Sequence, residues 1–226
     1  MLELSLGAEV LLMPIVLYEI LLEFAEIHVH SSSLERVLSS LGDAVTEAAG
    51  NIEHARRHYH EDHCDSVCDE ESDVLESLVG TAFVVAQAQI TGVVSSVMRL
   101  HKKAQSDGVH VAGLKGERRE IMRLKSPVLA GTSYSRIQVI DAFANYFKHH
   151  DEWKVPWANL ESRSKPTADI IAAAGAKEGS TGNLRAGLKA LDIDYDLLDR
   201  LHDEIATWAS DVVKTYRSEL HAKGLV

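Results

Sequence analysis

Two adjacent histidines, His149 and His150, close a segment that is rich in titratable, amide and aromatic side chains. On a helix with about 100° per residue, Asp141, Asn145 and His149 fall on one polar stripe, whereas His150 falls among the core-facing residues. The whole stripe comprises Gln138, Asp141, Asn145, Lys148, His149 and Glu152. An imidazole beside a carboxylate and an amide is suited to acid–base chemistry, because it titrates near neutral pH and such neighbours orient its ring. The spacing therefore identifies His149 and Asn145 as candidate catalytic residues.

Aromatic and cationic side chains alternate immediately after this stripe. Aromatic rings interleaved with cations can stack on nucleobases and hold phosphates. This pattern predicts a ligand-binding set that comprises Lys148, His150, Trp153, Lys154 and Trp157, together with Arg136. The alternative is that Trp153 and Trp157 only close the end of a helical bundle, since large aromatic side chains are usually buried.

The densest group of metal-ligand side chains lies earlier in the chain. It comprises His54, His58, His60, His63, Cys64 and Cys68. Several pairs are four residues apart, so that a helix would present two donors together, and the ligand types suit zinc. A four-ligand site would require the helix to break near His60, and no recognised zinc spacing occurs. The alternative is a solvated polar end of a helical hairpin.

The elements that must position these side chains are helices with a heptad repeat of apolar residues. Ser32 and Glu35 form a capping-box pattern, which predicts that a helix begins at Ser32. The first seam then comprises Leu34, Leu38, Leu41, Val45, Ala48, Ile52, Ala55 and Tyr59. The second seam comprises Val79, Phe83, Ala86, Ile90, Val93, Val97 and Leu100. Intervals of four and three alternate in both, so we expect two long helices that fold back antiparallel around an acidic turn.

The rest of the chain predicts shorter helices and connections. A glycine-punctuated segment at about 104–131 predicts a long loop with one short helix near residues 117–124. Further helices are expected over residues 134–151 (capped by Thr132 or Ser133), 167–174, 183–191 and 194–221, with the GAKEGSTG stretch at 175–182 as an interhelical connection. No alternating strand pattern of useful length occurs. The predicted fold is therefore all-α, an antiparallel helical bundle of one domain over residues 1–226, built on the two hairpin helices and a long C-terminal helix.

Charge is distributed unevenly along the chain, whose formal net charge is −11. Residues 1–80 carry 3 basic and 17 acidic side chains, whereas residues 81–165 carry 13 basic and 7 acidic ones. This balance argues against a general nucleic-acid coat but leaves a local basic patch in the middle third. The alternative is that the basic middle pairs with the acidic N-terminal third, within the chain or across a dimer.

Cysteine usage and the apolar segment near the N-terminus bear on compartment. Two cysteines in 226 residues cannot form a disulfide framework, and the start lacks a basic signal-peptide region, so we expect a cytoplasmic protein. The apolar stretch at 10–22 is too short to span a membrane and contains Pro14 and Glu19. We expect this stretch to be a buried first helix. We also expect the protein to have no membrane partner and no cofactor.

The Asn145-Tyr-Phe-Lys148-His149 stretch resembles the end of the Arg-(4 to 6 residues)-His motif of HEPN-domain proteins, in which a polar residue follows the Arg. The resemblance implies a compact helical bundle, often dimeric, in a class that includes metal-independent ribonucleases of toxin and defence systems. The position of the motif Arg is Ala144 here, so only Asn145 and His149 carry over. Arg136 lies about 220° around the helix and about 20 Å along its axis from His149.

These observations lead to three functional hypotheses. The first is a HEPN-like helical-bundle protein that acts by binding or by self-association, as a dimer covering the apolar seams, and that contacts RNA or a nucleotide. The second is a metal-independent endoribonuclease in which His149 is the acid or base and an arginine reaches the phosphate: Arg118, Arg119, Arg123 or Arg136. The third is metal binding by the His/Cys group.

Overall fold

The computed structural model describes residues 17–26, 32–111 and 113–226. It is 74% helical, and no strand occurs in these residues, where a single antiparallel bridge joins Val128 to Ser135. The all-α prediction is confirmed. The side chain of Ser32, the predicted cap of the first hairpin helix, lies outside the described part, as do residues 10–16 of the apolar stretch. Helix α1 occupies residues 17–26 and buries Tyr18, Leu22 and Ala25.

Two long helices form the predicted antiparallel hairpin. Helix α2 is Ser32–His58 and helix α3 is Glu61–Ser106, so only Tyr59 and His60 separate them. All seven residues of the second seam are fully buried, and in the first seam only Tyr59 is exposed. The expected acidic turn is wrong, because the acidic residues after Asp62 belong to the first turns of α3. Glu61 and Asp62 lie in the first turn, where the positive end of the helix dipole stabilises their carboxylates.

Four shorter helices and a long last helix complete the bundle. They are α4 (Arg118–Arg123), α5 (Arg136–His149), α6 (Lys165–Ala173), α7 (Asn183–Ala190) and α8 (Arg200–His221), with single 3-10 turns at His150–Glu152, Trp157–Asn159 and Tyr195–Leu197. The predicted short helices agree within two residues, and the loop at about 104–131 holds α4 as expected. Helix α8 begins six residues later than predicted, because the 3-10 turn and its exit occupy the start of that segment.

The N-terminal cap of α5 differs from the prediction. Ser135, rather than Thr132 or Ser133, caps the helix, and Gln138 completes the capping box by accepting from the Ser135 amide at 3.0 Å. Gln138 is therefore 7% exposed and does not belong to a solvent-facing stripe. Thr132 instead stabilises the preceding turn through a hydrogen bond to the Leu129 carbonyl.

Helix α5 lies at the centre of the bundle against α3. Phe83 of α3 stacks on Phe143 of α5 with ring centroids 5.3 Å apart. Gly80 of α3 makes this approach possible, since a Cβ there would lie 2.2 Å from the Phe147 ring. Gly187 does the same for α7, since a Cβ there would lie 2.8 Å from the Phe143 ring. This close packing fixes the C-terminal end of α5, where the candidate residues lie.

Helix α3 is also long and apolar enough, by length and composition, to cross a membrane. Its most apolar 18-residue window has a mean hydropathy of 1.5, and 56% of that window is buried inside the protein. Core helices of soluble proteins pass the same test, so the measure is weak evidence for a membrane.

Candidate functional site

The polar stripe of α5 packs against α3 and does not form an open site. Gln87 of α3 is 7% exposed, and its amide nitrogen donates to Asp141 Oδ1 at 2.9 Å and to Asn145 Oδ1 at 3.0 Å. Its carbonyl oxygen accepts from Lys148 Nζ at 2.6 Å. Arg118 of α4 closes the network with a 2.7 Å ion pair to Asp141. We call these five residues the Gln87 network; it joins three helices, and Asn145 and Lys148 have their polar atoms engaged within it.

The candidate base His149 lies at the exposed end of the same helix. Its side chain is 46% exposed, and its Nδ1 lies 3.1 Å from Glu152 Oε1. No hydrogen bond joins His149 to Asn145 among the described residues. Of these two residues predicted to act together, Asn145 bonds within the Gln87 network and His149 bonds to Glu152.

His150 belongs to a cleft that the sequence did not delineate. This cleft, which we call the aromatic cleft, has a volume of about 710 Å³ and lies between α3, the end of α5, the 153–157 loop and the start of α7. Its aromatic wall comprises Tyr146, Phe147, His150, Trp153 and Trp157. Its other walls include Asp73, Glu76 and Ser77 on α3 and residues 178–184.

Three rings of this wall pack edge to face against one another. The ring planes of Trp153 and Trp157 meet at 86° with centroids 6.0 Å apart. Tyr146 meets Trp157 at 73° and 6.1 Å, and Trp153 at 63° and 5.6 Å. His150 lies against Tyr146 at 4.9 Å, and its Nδ1 lies 3.1 Å from the Tyr146 carbonyl oxygen. Both indoles are partly buried and pack against the hydrophobic core, as the structural alternative expects, and both also line the cleft.

A buried amide holds the opposite wall in place. Asn183, 5% exposed, donates to the Tyr146 hydroxyl at 3.1 Å and to the carbonyls of Lys177 and Ser180. Its own oxygen accepts from the Lys177 amide at 2.8 Å. Gly182, with φ of 80°, then turns the chain into α7. The 175–182 connection is thereby folded against the aromatic wall.

An ion pair ties the same wall to α3. Glu76 Oε1 pairs with Arg185 Nε at 2.8 Å, and Glu76 Oε2 accepts from the Leu184 amide at 3.2 Å. Asp73 and Glu178, the other acidic residues of the cleft, make no ion pair within the described part of the chain. No lysine or arginine is among the described residues that line the cleft. The cleft therefore has a negative lining.

The remaining predicted ligand-binding cations point elsewhere. Arg136 pairs with Glu204 of α8 at 2.9 Å and donates to the Leu191 carbonyl at 2.5 Å. Lys154 donates to the Asp151 carbonyl at 2.6 Å. Together with Lys148 in the Gln87 network, these contacts leave Trp153, Trp157 and His150 as the predicted residues that share a cavity.

The His/Cys group lies around the α2–α3 connection. As a metal site would require, the helix does break at His60, but within the described ranges no three His, Cys, Asp or Glu side chains are placed to hold one ion. Instead, the rings stack along the hairpin tip: His54 lies 4.6 Å from His58, and Tyr59 lies 4.6 Å from His63.

The two cysteines of this group lie side by side on α3. The Sγ atoms of Cys64 and Cys68 are 3.8 Å apart, and both thiols are free. Desolvation, and then the hydrogen bond with Cys68, raise the pKa of the Cys64 thiol. A metal ligand must be a thiolate, so this shift opposes metal binding.

A buried histidine lies far from the cleft, near the C-terminal end of α3. His101 is 2% exposed, and its Nδ1 lies 3.0 Å from the Tyr216 hydroxyl. Its Nε2 has no hydrogen-bond partner in the described structure. Burial lowers the pKa of His101, partly offset by Glu120.

Sequence reasoning missed three residues that build the site: Gln87, Tyr146 and Asn183. Gln87 lies within the apolar second seam, where an amide side chain is the only sign of a polar contact across the helices. Asn183 was visible as the residue after a glycine-rich connection, at a helix start where asparagine often satisfies backbone groups. Tyr146 packs against the core and also lines the cleft, and its hydroxyl finds its partner in Asn183.

No family model matches the chain, and neither a curated protein nor a solved structure was found to be similar to it.

Proposed function

We propose that this chain is a binding protein and that its ligand occupies the aromatic cleft. The observation that carries the proposal is the convergence of Tyr146, Trp153 and Trp157 on one cavity of about 710 Å³. Small-molecule clefts have volumes of about 300–1,000 Å³ and are lined by aromatic side chains with a few polar groups. Both features are present here.

The cleft is preorganised by contacts that do not involve a ligand. Asn183 fixes the Tyr146 hydroxyl and the 177–180 backbone, and the Glu76–Arg185 pair fixes the start of α7 against α3. Binding to a site that is already ordered avoids the entropic cost of ordering it. This rigidity favours specific binding of one ligand over nonspecific contact with apolar molecules.

The geometry gives less support to a nucleotide or RNA as the ligand. An aromatic wall can stack on a base, but the phosphates would meet Asp73 and Glu178 without a lysine or arginine among the described lining residues. Of the basic residues in the middle third, Arg118 is paired with Asp141 and Arg136 with Glu204 instead.

The ribonuclease alternative also has less support. Arg118 and Arg136 are each paired with a carboxylate, and α4, which carries Arg119 and Arg123, packs beside the N-terminal end of α5 through Ser135. His149 is fourteen residues further along, about 20 Å on a helix. The HEPN resemblance stays a prediction, as do a cytoplasmic location and a dimer.

The three tryptophans allow a direct test. Trp153 and Trp157 line the cleft, whereas Trp208 is 1% exposed and donates to the Leu124 carbonyl in the core. We would record the three indole N–H signals by NMR during titration with choline, with AMP and with a short single-stranded RNA. The proposal requires at least one probe to shift the Trp153 and Trp157 signals while the Trp208 signal stays. If no probe does so at millimolar concentration, the proposal is refuted.

Incubation with total RNA in EDTA tests the enzyme alternative. We expect no cleavage by the wild-type protein. Cleavage that is lost in His149→Ala but kept in His221→Ala, another solvent-exposed histidine at a helix end, would replace the binding proposal with the ribonuclease.

A further inference from the structure

We infer that the ligand of the aromatic cleft is a small organic cation with a methylated ammonium group, an inference that rests on the proposed function. It follows from the shape of the ring wall and from the charge of the residues around it, which are independent observations.

The ring geometry is that of a corner lined by π faces. Two nearly perpendicular rings whose centroids are 6.0 Å apart, such as Trp153 and Trp157, can both present a face to one point. Tyr146 adds a third ring at 5.6 and 6.1 Å from the two indoles. A cation within about 6 Å of a ring centroid is attracted by the negative face of the ring. A cation seated against these edge-to-face rings can therefore approach the face of more than one of them.

The charge of the lining selects the same ligand class. Arg185 balances Glu76, but Asp73 and Glu178 keep uncompensated carboxylates at the cleft. A negative lining with low-dielectric walls concentrates cations and repels anions. The carboxylates and the rings thus favour the same sign of ligand charge.

The aromatic corner also favours methylated ammonium over a primary ammonium. A primary ammonium has three N–H donors that must find acceptors when water is removed. A fully methylated nitrogen has no donor, and its charge is spread over an apolar surface that aromatic faces can cover. Of the polar groups on the three rings, the two indole N–H groups only donate, and the Tyr146 hydroxyl already accepts one bond from Asn183.

The test compares choline with 3,3-dimethyl-1-butanol, which has the same shape but no charge. In the indole NMR titration we expect choline to bind about five- to thirtyfold more tightly than the alcohol, since cation–π attraction in a partly dry site is worth about 1–2 kcal/mol. Phosphocholine is expected to bind more weakly than choline, because its phosphate meets Asp73 and Glu178.

Variants separate the contributions of rings and carboxylates. Trp157→Leu should weaken choline binding about tenfold and leave binding of the alcohol within about twofold. Asp73→Asn should weaken choline binding several-fold, whereas Asp69→Asn is the matched control, an exposed aspartate one turn earlier on α3 that does not line the cleft. The unchanged Trp208 signal verifies that each variant is folded.

The outcomes distinguish this inference from the proposed function. Equal affinity for choline and the alcohol would overturn the cation assignment, and tighter binding of phosphocholine would overturn the assignment to a free cation. Binding of AMP without binding of choline would overturn the inference and leave the binding function intact. If none of these probes shifts Trp153 or Trp157, both fail.

Discussion

Replacement of two helical glycines by alanine would test whether the packing of α5 on α3 sets the position of the cleft. Gly50 lies in α2 and Gly80 in α3, so both substitutions gain the same helix propensity, about 0.5–1 kcal/mol. A Cβ at Gly50 has no neighbour within 4 Å, whereas one at Gly80 lies 2.2 Å from Cδ2 of Phe147. We therefore expect Gly50→Ala to raise the free energy of unfolding by that amount.

Gly80→Ala should lower the free energy of unfolding instead. Forcing a methyl group into a packed helix contact costs about 1–3 kcal/mol. After the gain in propensity, the net loss is about 0.5–2 kcal/mol, and the two variants should differ by about 1–3 kcal/mol. Phe147 lines the cleft, so its displaced ring should also weaken choline binding in Gly80→Ala and not in Gly50→Ala.

Urea denaturation followed by circular dichroism gives both free energies, and indole NMR gives the binding. The reasoning about this contact is refuted if Gly80→Ala is stabilised as much as Gly50→Ala with its Trp153 and Trp157 signals unmoved.

Three further predictions concern other parts of the molecule. Burial lowers the pKa of His101 below its unfolded value of 6.5, so at lower pH the unfolded state binds the extra proton. The free energy of unfolding, measured by urea denaturation, should therefore fall as the pH drops below about 6.5. This pH dependence should be weaker in His101→Gln. Gln87→Leu leaves Asp141, Asn145 and Lys148 without their shared partner, so it should cost about 1–3 kcal/mol in the same assay, while Gln105→Leu, exposed on the same helix, should cost much less. Light scattering should show a dimer that Phe24→Asp dissociates, because Leu17, Ile20 and Phe24 are 40–52% exposed on one face of α1; a wild-type monomer would contradict this prediction.

The helical hairpin was predictable because its signal is periodic and local. Leu38, Val45 and Ala55 in α2, and the seven seam residues in α3, recur at heptad spacing, and burial of one face is the only way such a pattern is stabilised. The same periodicity indicated apolar seams wider than one chain can cover. In the structure, described residues of α5 and α8 cover the second seam. The sequence contained no signal for which later helix would do so.

The candidate site was predictable only in part, because it depends on contacts between distant segments. Trp153 and Trp157 were chosen for their residue types, and they do line a cavity. The pairing of Tyr146 with Asn183 spans 37 residues, and that of Glu76 with Arg185 spans 109. A helical wheel places Lys148 and Asn145 on one face but does not show that Gln87 of another helix occupies that face.

Helix α3 has 46 residues and is therefore about 70 Å long, with no break between the cysteine pair at one end and His101 near the other. One wall of the aromatic cleft, at Asp73 and Glu76, is part of this same rod, a turn or so before the buried seam begins at Val79. The wall cannot swing away as a separate lid, since any bend there would pull on the central packing. Occupancy of the cleft should consequently raise the melting temperature of the entire protein, and slow amide exchange deep inside the seam as well as at the surface.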